Sequence, residues 1–248
     1  MLGLKLYCLP HSGASAMVYS RWRRKLPAWL CIHPVELPGR GLRMNEPLQQ
    51  DISALVTQLA AEIRQDISLN PNQPYALLGH SLGSLLAFEL AHALPKIGCA
   101  APVALFASGT AAPTRREGYD DDFKEPKTDE MLMDDLRSLQ GTPEDVLANQ
   151  ELMALTLPVM RADYLLCGGY QYEHHNIKLM CPVHVLAGKT DKATHEQLNA
   201  WQQETLADFS LTMFDGGHFF IQEHQDKVLS HIEDNLASIV NMPDYDYA

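Results

Sequence analysis

The run Gly79-His80-Ser81-Leu82-Gly83 sets one hydroxyl between two glycines. A serine hydroxyl is a weak nucleophile and needs a base beside it. An apolar stretch leads into this run and an amphipathic one leads out, so the serine falls on a strand-to-helix turn. Such a turn is sharp and strained, and its glycines leave room for crowded backbone. Ser81 is therefore the candidate nucleophile. The candidate base is His218, in Asp215-Gly216-Gly217-His218-Phe219-Phe220, a glycine-rich loop after the last apolar run. Of the eleven histidines it is the one placed just past a late strand in such a loop. An acid must orient the imidazole and stabilise its protonated form. Asp191 fits, in the turn Gly188-Lys189-Thr190-Asp191 at the carboxyl end of a predicted strand. Asp215 is the rival, close to His218 in sequence. Acyl transfer through Ser81 also needs two N–H donors for the oxyanion. The Leu82 N–H follows the nucleophile directly, and the Ser12 N–H is the candidate from Pro10-His11-Ser12-Gly13-Ala14.

These residues need a scaffold that gathers strand ends. Apolar runs at 4–9, 31–37, 75–78, 102–107, 182–187 and 209–214 read as strands. Between them lie helical patterns. Ile52, Leu55, Val56, Leu59, Ile63 and Ile67 recur at helical spacing. A helix over 82–94 is stopped by Pro95, and a long last helix spans about 219–240. Strands alternating with helices predict an α/β chain with a doubly wound, mostly parallel sheet. In such sheets ligands collect at the carboxyl ends of the strands. Strand signals vanish from Pro113 to Asn176, which predicts an inserted helical lid. The expected organisation is a core of 1–112 and 177–240, a lid of 113–176 and a disordered tail of 241–248.

Composition narrows the function. The 248 residues are 46 % hydrophobic and 20 % charged, as in ordinary globular proteins. A net charge of -12 speaks against nucleic acid, which is held by Lys and Arg on phosphates. It also speaks against adhesion to an anionic membrane. No run is long enough to span a bilayer. Cys8, Cys31, Cys99, Cys167 and Cys181 show no CxxC spacing, so no zinc site is expected, and the scatter fits free thiols in a reducing cytoplasm. His174-His175 and the pair His224 and His231 lack metal-ligand spacing and read as surface residues.

Together these motifs resemble the type II thioesterases of nonribosomal peptide and polyketide assembly lines, members of the α/β-hydrolase superfamily. Leu9-Pro10-His11-Ser12-Gly13 resembles their first loop, although Ala then Gly-Gly is commoner there than Ser12, Gly13 and Ala14. Glu36-Leu37-Pro38-Gly39-Arg40-Gly41 is similar to a hallmark of the family, and Gly79 to Gly83 to its elbow. Leu139-Gln140-Gly141-Thr142-Pro143 and Pro158-Val159-Met160-Arg161-Ala162-Asp163 resemble its lid. Gly188 to Asp191 and Gly217 to Phe220 resemble its acid and base motifs. The resemblance implies hydrolysis of acyl groups on carrier proteins, with the phosphopantetheine arm belonging to the substrate and no metal or organic cofactor required. A monomer is expected.

Two further features bear on substrates. The lid is rich in methionine (Met131, Met133, Met153, Met160), a side chain that adapts to varied apolar shapes. Arg21, Arg23, Arg24 and Lys25 form a basic run and, with Arg40 and Arg43 in the loop after the second predicted strand, are a candidate contact for an acidic carrier. An esterase or lipase acting on small free esters or acyl-CoA is the alternative activity. A non-catalytic binding scaffold is disfavoured by the intact Ser81, Asp191 and His218.

Overall fold

The structure is a computed structural model that describes residues 3–139, 141–172, 175 and 177–240. The tail expected to be disordered, 241–248, lies outside them, as do Gln140 and His174. The six strands are β1 (Leu4–Leu9), β2 (Leu30–Pro34), β3 (Tyr75–His80), β4 (Leu105–Ser108), β5 (Val183–Gly188) and β6 (Phe209–Phe214). They form one parallel sheet in the order β2-β1-β3-β4-β5-β6. β1, β3, β4 and β5 are nearly continuous apolar runs because both of their faces are covered.

One face packs on α1 (Ile52–Leu69) and α2 (Leu82–Lys96), through Leu55, Leu59, Leu86 and Phe88 against Tyr7, Leu77 and Val185. Asp51 caps α1 by accepting the Ala54 N–H. Three helices lie between β4 and β5: α3 (Asp129–Leu139), α4 (Glu144–Leu147) and α5 (Gln150–Gly169). They carry a small apolar cluster of their own, with Leu132, Leu147, Met153, Leu157 and Met160. The chain closes with α6 (His195–Asn199), α7 (Phe220–Glu223) and α8 (Gln225–Val240). α8 covers the opposite face through Val228, Ile232 and Leu236. No helix among the described residues is long and apolar enough to cross a membrane.

Several boundaries differ from the sequence reading. β2 leaves the sheet after Pro34 rather than at Leu37. It is an edge strand, and Pro34, which lacks an N–H, is tolerated because that position faces the open edge, whereas the Val35 N–H still donates to the Cys8 carbonyl at 2.9 Å. α2 runs through Pro95 to Lys96, because a proline in the last turn breaks little of the ladder. The single last helix is two, divided at His224, whose backbone (φ -111°, ψ 34°) is not helical.

β1 sits between β2 and β3, so the connections wind in opposite directions from it. The crevice at the carboxyl ends of β1 and β3 is the place where such sheets bind ligands. Two glycines bring these ends together. A Cβ on Gly79 would stand 1.9 Å from the Gly83 carbonyl oxygen, and a Cβ on Gly83 would stand 2.2 Å from that of Leu9. Both obstacles are backbone. Gly83→Ala is therefore expected to cost about 3 kcal/mol and abolish activity. Gly169→Ala, whose Cβ would meet nothing within 4 Å, is expected to leave stability unchanged or slightly raised. Urea unfolding of the two variants checks this.

Candidate active site

Ser81 lies between β3 and α2 with φ 56° and ψ -118°. It is the one non-glycine residue with positive φ among those described. Such a conformation costs about 1–3 kcal/mol and persists only where its surroundings enforce it. Here the Ser81 N–H donates to the Ser108 carbonyl at 2.8 Å. The buried Ser84 hydroxyl stands 2.8 Å from the carbonyls of Gly79 and Ser108 and accepts the Ser108 N–H at 2.9 Å. Ser84 and Ser108 thus brace the elbow from α2 and β4. Neither belongs to a sequence motif that marks it.

His218 follows β6 and returns over the end of β5. Its Nδ1–H donates to Asp191 Oδ2 at 2.9 Å. The carboxylate can only accept, so this bond leaves Nε2 as the basic nitrogen. Asp191 is almost wholly buried, and its Oδ1 accepts the Lys192 N–H at 2.7 Å. Asp215, the rival acid, is exposed and pairs with Lys189 at 2.6 Å. The structure therefore sets Asp191, and not Asp215, against His218. The His218 ring lies 4.9 Å from that of His80, which places it beside the elbow. No hydrogen bond joins it to the Ser81 hydroxyl in this structure. Such contacts commonly tighten only when substrate binds.

The loop after β1 faces the elbow. The Gly13 N–H is taken by Asp163 at 2.8 Å, and that of Ala14 by the His11 carbonyl at 3.1 Å. The Ser12 N–H has no acceptor among the described residues. The Leu82 N–H, at the first turn of α2, has none either. These are the two donors singled out from sequence.

Two further histidines line this centre, and the motifs gave neither a role. His80 is fully buried and hydrogen-bonds Ser108 Oγ at 2.9 Å. His11 packs edge-on against Phe219, with ring centroids 4.9 Å apart. Burial pushes the His11 imidazole down to about 4, and it pushes His80 well below the ordinary range, with His218 and His11 adding to the effect. Both are neutral at pH 7, so neither sets a positive charge beside the His218 ring.

Some expectations require correction. Arg40 is buried in an ion pair with Asp163, and Arg43 is bound to Glu46 and Glu62. Neither is free to meet a carrier. Lys25 pairs with Asp226, whereas Arg21, Arg23 and Arg24 are exposed and make no ion pair among the described residues. His175 is not a surface residue, because its ring stacks on that of His92 at 3.7 Å. His231 is partly buried and bonded to Asn235, and His224 is partly buried at the break between α7 and α8. No group of three or more metal-ligating side chains occurs among the described residues.

Residues 4–236 match the family of thioesterase domains. The chain belongs to the thioesterase family, as a type II member. It is 37 % identical over 238 residues to the gramicidin S biosynthesis protein GrsT of Aneurinibacillus migulanus, covering 96 % of this chain and 90 % of that one. The structure of ClbQ from the colibactin NRPS/PKS pathway superposes with a TM-score of 0.86 at 33 % identity, over 95 % of this chain and 98 % of that one. The type II thioesterase BorB from the borrelidin biosynthetic cluster gives 0.83 at 37 % identity, over 94 % and 93 %. The six-stranded parallel sheet of this thioesterase is that of the α/β hydrolases.

Two outcomes follow from the site. Asp191→Asn is expected to lower kcat by about 10⁴-fold, because the wrong imidazole tautomer is then favoured. Asp215→Asn is expected to change it less than threefold. Steady-state hydrolysis at pH 7.5 compares them. The second concerns buried neutral histidines. His184, on β5, is pushed down to about 4 by burial. As pH falls below about 6.5 the unfolded chain takes up protons that the folded chain refuses, so stability falls with pH. His184→Gln is expected to reduce the stability lost between pH 7 and pH 5 by about 2 kcal/mol, measured by urea unfolding at both values.

Proposed function

We propose that this thioesterase hydrolyses acyl groups from the phosphopantetheine arms of acyl or peptidyl carrier proteins, clearing those that have stalled or are wrong for the next step. The observation that carries the reading is the Asp191–His218 hydrogen bond beside a strained serine. The relatives' origin in nonribosomal peptide and polyketide clusters supports the carrier as the substrate.

In the acylation step Ser81 Oγ attacks the thioester carbonyl and His218 Nε2 takes the hydroxyl proton. The oxyanion is met by the Ser12 and Leu82 N–H groups. The C–S bond then breaks and the sulfur leaves with that proton as a thiol. A thiol, with a pKa of about 8.5, departs far more readily than an amine. Water, deprotonated by His218, attacks the acyl–Ser81 ester and releases the acid and the free serine. No step calls on a metal or organic cofactor.

The helices of 113–176 act as a lid over this centre. Two close contacts support that role. A Cβ on Gly141 would fall 2.1 Å from the Phe219 ring, next to His218, and one on Gly13 would fall 3.5 Å from Met160 of α5. Lys192, next to the acid, reaches the Tyr119 carbonyl at 3.0 Å and lies over the Tyr119 ring at 3.9 Å. Base, acid and oxyanion loops each touch the insertion. The five free cysteines support a reducing compartment, the cytoplasm.

A hydrolysis panel tests the reading, with acyl-loaded carriers set against oxygen esters of the same acyl groups. Carriers are expected to be favoured by at least 100-fold in kcat/KM. Ser81→Ala is expected to lose 10⁴-fold or more on both, by order of magnitude, while keeping its fold. Equal rates on carrier and free ester would replace the proposal with a general esterase.

A further inference from the structure

Three segments distant in sequence meet at one carboxylate. Asp163, on α5, is fully buried. Its Oδ2 accepts the Gly13 N–H at 2.8 Å. Both of its oxygens also accept from the Arg40 guanidinium in a bidentate pair, Oδ1 from Nη2 at 2.7 Å. Arg40 is only 7 % exposed and donates as well to the Ala14 and Pro38 carbonyls, at 3.3 and 3.4 Å. The Ser12–Gly13 peptide is thus held at both edges. Asp163 takes its N–H, and His11 Nδ1–H donates to its C=O at 3.0 Å. That plane adjoins the Ser12 N–H, and Gly13 beyond it has φ +78°.

We propose that Asp163 and Arg40 are positioning residues that hold the oxyanion loop in its working shape from the lid side. The oxyanion hole is then complete only while α5 is seated on the core. The pairing has an electrostatic reason too. A lone carboxylate beside a developing oxyanion would oppose it, and the guanidinium cancels that charge. A merely structural ion pair would not need this placement, because buried pairs are commonly replaced by apolar side chains without loss of stability.

This inference rests on the assignment of Ser81 and its two N–H donors, and the test separates the two. Asp163→Leu alone leaves Arg40 buried and unpaired, so it is expected to unfold readily. Arg40→Leu/Asp163→Leu removes both charges. It is expected to recover most of the urea midpoint yet leave kcat on an acyl-N-acetylcysteamine thioester about 100-fold down, the size of one lost oxyanion donor. KM is expected to stay within threefold, and affinity for an alkylboronic acid, which forms a tetrahedral adduct on Ser81, to fall in parallel with kcat. Asp163→Asn keeps an acceptor for Gly13 and the shape of the side chain. It is expected to lose about tenfold in kcat and in boronic-acid affinity together. A double variant that folds and turns over within threefold of the parent would overturn the proposal. So would an Asp163→Asn protein with kcat and boronic-acid affinity within twofold of the parent but a lowered urea midpoint. Turnover by Ser81→Ala would instead remove the site assignment beneath it.

Discussion

Gly83 lies so close to the Leu9 carbonyl that no side chain fits between them. That contact draws the start of α2 over the end of β1, and the turn that must precede it forces Ser81 to positive φ. Ser81, the Leu82 N–H and the loop carrying the Ser12 N–H come together because two backbones touch. The strain at Ser81 is offset by the hydrogen bonds of Ser84 and Ser108, which join the elbow to β4.

Around this contact the charges are few and paired. Asp191 is almost buried, yet both its oxygens accept a hydrogen bond. Asp163 is wholly buried and answered by Arg40. The histidines that pack the remaining space, His11 and His80, are held neutral by burial. In the proposed mechanism such a site keeps most of its electrostatic response for the charge that would develop on the oxyanion and on His218, where preorganised dipoles act most strongly.

The elbow at Ser81 and the meeting of His218 with Asp191 were legible in the sequence because each of these residues follows a strand. Strand ends are marked by a change from apolar runs to glycine, proline and small polar residues. The six strands were legible for the same reason, with errors at the edges where a proline does not end an element as expected. Pro95 sits in a last turn, where little hydrogen bonding remains to be lost. What pairs with what across the fold was not legible. Arg40 and Asp163 are 123 positions apart, and nothing in their neighbourhoods distinguishes a buried ion pair from an exposed cation and a helix carboxylate. The burial of His175 was missed likewise, since the stacking ring of His92 belongs to another element.

The central claim is that the acyl group passes through Ser81. The most direct measurement is mass spectrometry of the protein quenched in acid milliseconds after mixing with an acyl-loaded carrier. The account predicts a transient mass increase equal to the acyl group, located on the peptide that contains Ser81. Full release of free acid with no acyl adduct at any time, or an adduct on a different residue, would contradict it.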